Sequence, residues 1–369
     1  MRGNHALPGR ARSSLRRNPG AWVAGLCAAA ALAVTATFVT GQAGPPDPSR
    51  PGGPAPVSAS PAPEQPPGSF ATTVNPRRAP TPPARGAYFG AWVGPAVFTQ
   101  ANSIAAVNGF QRRLGRRLDI VHTYLRWDAP FPTASDLAFI RQRSLLLVSW
   151  AGTDTRAIAS GAADGLIRQR AREIKALRAP VFLEWRWEMN RPNLQAEVHS
   201  AAAYVAAWKR IRAIFERQHV QNVAWVWCPT ASGFADGTAP AYFPGNAEVD
   251  WVCADVYPGV GPQRPFAEIA GPFLAWAKHH QKPVMIGEFG VPRSYGPAAR
   301  AAWLSGVQRV SRNDPQIKAL VYFDADPAGH GPQLSYSLPG GSAALAAMRS
   351  MAGSSYFNPV IRPARSSRQ

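Results

Sequence analysis

From Gly86 onward the chain alternates short, nearly unbroken apolar runs with longer segments in which apolar residues recur every three to four positions. The apolar runs fall at 87–93, 118–127, 145–151, 181–187, 223–228, 249–257, 284–289 and 319–323. Runs of this length without polar alternation predict strands buried on both faces, as in a parallel sheet covered by helices. Between them, Ile167, Ala171 and Ile174 form an apolar stripe on a helix predicted over 163–177. Tyr204, Trp208, Ile211 and Phe215 do the same over 200–218. Strands alternating with helix-sized segments in this way predict an α/β fold, a (β/α)₈ TIM barrel, which typically takes about 250 residues. An open doubly wound sheet would carry a Gly-rich phosphate loop after its first strand. Here Trp92-Val93-Gly94-Pro95 follows instead.

Upstream of Gly86 the pattern is different. Arg2, Arg10, Arg12, Arg16 and Arg17 precede an uncharged apolar run over 21–40, and the small residues Thr40-Gly41-Gln42-Ala43-Gly44 follow. Residues 1–43 therefore read as an export signal cleaved after Ala43, or as a retained anchor, since about 20 apolar residues can span a bilayer. Residues 44–85 are dominated by Pro, Ala, Ser and Gly. Such a segment buries too little apolar area to offset its conformational entropy, and predicts a disordered, semi-extended linker. The barrel domain is expected over 86–357, with 358–369 as a basic flexible tail. The expectation is a monomer, secreted or anchored to the outer face of the cell membrane, touching the membrane only through that N-terminal segment.

Charge changes this picture little. Lys and Arg number 40 against 21 Asp and Glu, a formal net charge of +19. That balance alone suggests an anionic partner such as nucleic acid. However, the arginines are scattered along predicted helices and tails, without zinc-finger spacing or an RNP-like aromatic motif, which argues against nucleic acid. Cys228 and Cys253 lie in no CxxC or Cys/His cluster, so neither a metal centre nor a cofactor is expected. Both fall at the ends of neighbouring strands, close enough for a bridge. If Trp227 faces the cleft, though, Cys228 points outward while Cys253, in parity with Asp255 and Tyr257, points inward. That parity favours two free thiols.

Candidate chemistry collects where a (β/α)₈ barrel keeps its active site, at the C-terminal ends of the strands. The strand ends read Tyr124-Leu125-Arg126-Trp127-Asp128, Ser149-Trp150, Trp185-Arg186-Trp187-Glu188-Met189-Asn190, Trp225-Val226-Trp227-Cys228, Asp255-Val256-Tyr257, Gly287-Glu288-Phe289-Gly290 and Tyr322-Phe323-Asp324. Aromatic rings stack on the apolar faces of sugars, and carboxylates bind hydroxyls and move protons. Glu188 sits among aromatics that should raise its pKa by desolvation, as a general acid requires. Glu288 ends a buried strand, where a charge needs a partner. The structural alternatives are a surface-loop carboxylate for Glu188 and an Arg-paired closure of the barrel mouth for Glu288. Trp150, Trp187, Trp227, Arg126 and Asn190 join them as candidates for sugar contact. No Ser/His/Asp arrangement or GxSxG elbow is present.

Four segments in order resemble glycoside hydrolase family 26, the group of β-mannanases with some β-1,3-xylanases and β-glucanases. They are Trp187-Glu188-Met189-Asn190, Tyr242-Phe243-Pro244-Gly245 with Val249-Asp250-Trp251-Val252, Asp255-Val256-Tyr257, and Lys282-Pro283-Val284-Met285-Ile286-Gly287-Glu288-Phe289-Gly290. The resemblance implies Glu188 as acid/base, Glu288 as nucleophile, Tyr257 as hydrogen-bond partner of that nucleophile and Asp255 as a sugar-binding residue. It implies a retaining, endo-acting hydrolase of a β-linked polysaccharide. Where the family pattern has His directly before the acid/base and Arg four residues before it, this chain has Trp187 and Glu184. Arg191-Pro192-Asn193 stands where the family carries a Trp. A tethered, non-catalytic carbohydrate-binding protein and an envelope transglycosylase are the competing expectations on the same fold.

Overall fold

The computed structural model describes residues 77–326 and 331–358. The signal or anchor segment, most of the Pro-rich linker and nearly all of the basic tail lie outside the described residues.

Eight strands, β1 (Tyr88–Val93), β2 (Ile120–Leu125), β3 (Leu145–Trp150), β4 (Val181–Trp185), β5 (Val223–Trp227), β6 (Trp251–Val256), β7 (Val284–Phe289) and β8 (Ile317–Asp324), pair in parallel and in sequence order. β8 closes onto β1, so the sheet is a barrel without edges. Helices including Gln100–Leu114, Asp164–Leu177, Ala201–Arg217, Phe266–Ala277 and Gly296–Asn313 cross between the strands. The (β/α)₈ arrangement expected from the apolar runs is the one observed. Among the described residues, no helix is long and apolar enough to cross a membrane.

Because every strand is buried on both faces, its side chains divide into two apolar layers. Odd and even positions can be followed on β5. Trp225 and Trp227 belong to the outer layer between strands and helices, while Ala224, Val226 and Cys228 fill the barrel interior. The inner layer also holds Ile120, Leu147, Phe182, Trp251 and Met285. Toward the C-terminal ends the interior turns polar, with His122, Ser149, Glu184 and Asp255 all buried.

This division overturns the expectation of two free thiols. Trp227 packs outward against Phe234, Phe243 and Trp276, so Cys228 faces inward beside Cys253, and the two form a disulfide. At the opposite end of the barrel, residues assigned by composition to the linker are packed. Pro80 and Pro83 are buried, Ala79 touches the inner layer, and the Tyr88 hydroxyl donates to the Thr81 carbonyl at 2.9 Å.

Candidate active site

Two irregularities in otherwise regular strands deliver the two glutamates. On β7, Val284 and Ile286 face the outer layer and Met285 the interior. Strict alternation would turn Glu288 outward. Instead, Ala254 pairs with Ile286 and the next residue, Asp255, pairs with Glu288, so Gly287 is an extra residue in the strand. The same slip appears on the β8 side, where Ile286 pairs with Leu320 and Phe289 with Tyr322. A bulge of this kind re-aims the side chain that follows it. Only glycine fits here, because a Cβ on Gly287 would lie 2.5 Å from Cys253 Sγ and 2.8 Å from Cys228 Sγ.

Glu188 is presented by an irregular exit from β4. Arg186 and Glu188 both take left-handed backbone conformations, φ 50° and 51°. Such conformations cost non-glycine residues on the order of 1 kcal/mol each and collect at functional sites. Backbone bonds over-determine the strained segment. Arg186 N–H donates to the Trp150 carbonyl at 2.9 Å and Glu188 N–H to the Cys228 carbonyl at 2.7 Å.

The two carboxyls have different partners. Glu288 accepts hydrogen bonds from two phenols, the Tyr124 hydroxyl on Oε1 and the Tyr257 hydroxyl on Oε2, the latter at 2.8 Å. Glu188 accepts from a guanidinium, Arg191 Nη1 on Oε2 at 2.7 Å. Both glutamates are buried, 8% and 6% exposed for Glu188 and Glu288. Burial raises the Glu288 pKa to about 7, helped by the nearby charge of Glu188 and opposed by its two tyrosines and Arg191. Burial also raises Glu188, and Arg191 pulls it back down.

Beneath them lies a polar floor. His122 Nε2 is 2.6 Å from Ser149 Oγ, whose hydroxyl donates to Glu184 Oε2. Asp255 Oδ1 lies 3.3 Å from Cys228 Sγ. Burial, together with the surrounding carboxyls, pushes Glu184 and Asp255 well above the usual carboxylate range. Burial holds His122 neutral, with its pKa lowered to about 3. Among the described residues, Glu184, Asp255, Cys228 and Cys253 are close enough to share a metal ion, their ligand atoms lying within 4.8 Å of one another. The disulfide occupies both sulfurs, which leaves two carboxyls.

Of the residues singled out in the sequence, the fold gathers Glu188, Glu288, Trp187 and Tyr257 at the mouth, where the half-buried Trp187 ring lies 5.1 Å from that of Tyr124. Asp255 lies under the mouth, 3% exposed, rather than in it. Asn190 is turned to Thr230, donating to its hydroxyl at 2.8 Å and accepting its N–H at 3.1 Å. Three candidates are placed elsewhere. Trp150 and Trp227 have no exposed surface and sit in the outer layer, Trp150 stacked on Trp127 at 4.4 Å. Arg126 lies in solvent, 3.7 Å from Asp128 with both side chains about two-thirds exposed. For the two tryptophans the reason is parity, since a residue at a strand end faces the mouth only if its parity is inward; Arg126 has inward parity but lies past the end of β2.

Parity would also have found what was missed. On β2, His122 and Tyr124 are the polar-bearing positions in phase with the interior residue Ile120. On β1 and β8, Trp92 and Phe323 follow the same rule and stack at 4.5 Å, with Tyr336 and Tyr257 completing an aromatic wall. Arg191 carries no such signal, since a turn rather than a strand places it.

No protein-family model matches the chain. In sequence it is similar to endoglucanase H of Acetivibrio thermocellus, 27% identical over 293 residues, which cover 74% of this chain and 31% of that protein. In structure it is similar to a family 26 β-mannanase from Bacteroides ovatus, with a TM-score of 0.55 and 14% identity over 73% of this chain and 89% of that one. A β-mannanase from a symbiotic protist of the termite Reticulitermes speratus, solved with a gluco-manno-oligosaccharide, gives a TM-score of 0.52 and 13% identity, covering 76% and 96%. The solved structures establish the shared fold. That fold is the one of the family 26 enzymes whose segments the sequence resembles, and the chain spans about a third of the length of its sequence relative.

Proposed function

We propose that this chain is a retaining, endo-acting glycoside hydrolase that cleaves a β-linked polysaccharide by double displacement. The observation that carries the reading is the pairing of two buried carboxyls at the barrel mouth, one gripped by two phenols and the other by a guanidinium. Glu288 is the nucleophile. Two neutral donors stabilise its anion and hold both oxygens in place. Glu188 is the acid/base. In the first step a Glu288 oxygen bonds to the anomeric carbon, the glycosidic C–O bond breaks, and Glu188 gives its proton to the departing oxygen. In the second, water attacks the same carbon, the bond to Glu288 breaks, and Glu188 takes the proton that water loses.

The half-buried Trp187 and Trp92 supply aromatic surface at the mouth for sugar rings, Trp92 backed by the buried Phe323 stacked against it. The β-mannanase and endoglucanase relatives support β-mannan or β-glucan as substrate, with β-1,3-xylan as the third class to try. The basic and apolar N-terminal pattern supports action outside the cytoplasmic membrane.

The test is incubation of the full chain with β-mannan, β-1,3-xylan, mixed-linkage β-glucan and envelope polysaccharides. New reducing ends of intermediate length on at least one of them are expected. Transfer products without new reducing ends would make it a transglycosylase, and binding without any new product would make it a carbohydrate-binding protein.

A further inference from the structure

The turn that follows β4 carries a cation back to the carboxyl it has just presented. Arg191 N–H donates to the Glu188 carbonyl at 3.0 Å, closing a tight turn, and the two side chains meet at 2.7 Å. Both are enclosed, 4% and 11% exposed for Arg191 and Glu188. The turn is held at both ends. Glu188 N–H is tied to the Cys228 carbonyl, and Asn190 is clamped to Thr230 from both sides of its amide. Arg191 is therefore delivered to Glu188 by fixed backbone.

The other ionisable groups that face Glu188 are carboxyls: Glu184 from its own strand, Asp255 from β6 and Glu288 from β7. Burial disfavours a charge on Glu188, and the Arg191 guanidinium in contact with it opposes that. Double displacement needs a group that gives its proton and then takes one back. A carboxyl kept protonated by burial would perform the first half-reaction and fail in the second.

We propose that Arg191 is a positioning residue for the second half-reaction, countercharging Glu188 so that it can act as a base toward water after it has acted as an acid. This rests on the hydrolase reading above. Arg191 forms and breaks no bond itself. In the second step the proton moves from water to Glu188, whose anion Arg191 stabilises, as the C–O bond to Glu288 breaks.

The test uses an aryl β-glycoside of the accepted sugar, whose good leaving group makes release of the sugar from Glu288 rate-limiting. Arg191→Met should lower kcat roughly 10-fold or more while kcat/KM falls less. KM therefore drops and a burst of phenol precedes the steady state. The basic limb of the kcat/KM profile should move to higher pH, and Arg191→Lys should restore much of kcat. Arg191→Gln serves in its place if Arg191→Met does not fold. Equal losses in kcat and kcat/KM with an unmoved pH limb would reduce Arg191 to a structural role and overturn the proposal. Absence of phenol release from the unaltered chain would sink the hydrolase reading itself, and this inference with it.

Discussion

Glu288 and Glu188 solve the same problem, a carboxyl buried at the mouth of a barrel, by different means. Glu288 comes from a regular strand corrected by a single glycine, and it is held by neutral phenols from β2 and from the end of β6. Glu188 comes from a strained exit of β4 and is held by a full positive charge from its own turn. Neutral donors favour an anion without adding a charge that a sugar cation would have to approach, which suits an attacking oxygen. A cation on a lever of three residues adjusts how readily its partner gains and loses a proton, which suits an acid/base. The difference in partners thus parallels the difference in proposed role.

The sharpest way to break this comparison is to delete each carboxyl in turn. Glu288→Ala should cost on the order of 10⁵-fold in kcat, as loss of a covalent nucleophile does. Glu188→Ala should cost roughly 10²- to 10⁴-fold on natural polysaccharide and far less on an aryl glycoside that needs no protonation. Equal losses on both substrates would erase the distinction.

The phenols come next. A hydrogen bond to a charged group is worth about 1.5–3 kcal/mol, so Tyr124→Phe and Tyr257→Phe should each cost roughly 10- to 150-fold in kcat/KM. Both phenols hold down the Glu288 pKa, which burial has raised to about 7. Removing either should therefore move the acidic limb of the profile to higher pH, and an unmoved limb in both variants would detach the phenols from Glu288 chemistry.

The smallest expected effect concerns the floor under both glutamates. Glu184 and Asp255 have folded-state pKa values raised well above their unfolded ones, chiefly by burial. Below the unfolded values, about 4, their contribution to stability is fully present. It is lost as pH rises toward the folded values, at up to about 1.4 kcal/mol per pH unit for each group. The melting temperature should fall from pH 5 to pH 8, and Glu184→Gln or Asp255→Asn should flatten that fall. Thermal melts that keep the original slope in both variants would mean that these carboxyls are already ionised in the folded protein.

The barrel was legible because burial on both faces writes continuous apolar runs, and all eight observed strands fall within or beside them. The two glutamates were legible because they close apolar runs at the strand ends where a barrel of this kind keeps its chemistry. Facing was much less legible. Trp150 and Trp227 look like sugar platforms in a one-dimensional reading, yet inward parity belongs to Ser149 and to Cys228. The bridge between Cys228 and Cys253 was misjudged for the same reason. Strict parity would in turn have misplaced Glu288, because the bulge at Gly287 breaks alternation there. Tyr124 could have been found by its phase with Ile120, but Arg191 depends on a turn that no periodicity announces. Composition also drew the linker too long, since Pro80 and Pro83 are buried against the barrel while reading as low-complexity tether.

The roles of the two glutamates are separated most directly by the stereochemistry of azide rescue. Each alanine variant is given azide and an aryl β-glycoside, and the anomeric configuration of the glycosyl azide is read by proton NMR. In Glu188→Ala, azide replaces water in the second step, after Glu288 has inverted the centre once, and the product should be the β-azide. In Glu288→Ala, azide enters the space left by the nucleophile and inverts the centre directly, giving the α-azide. The opposite pair of products would exchange the two roles, and absence of rescue in both variants would contradict double displacement at this site.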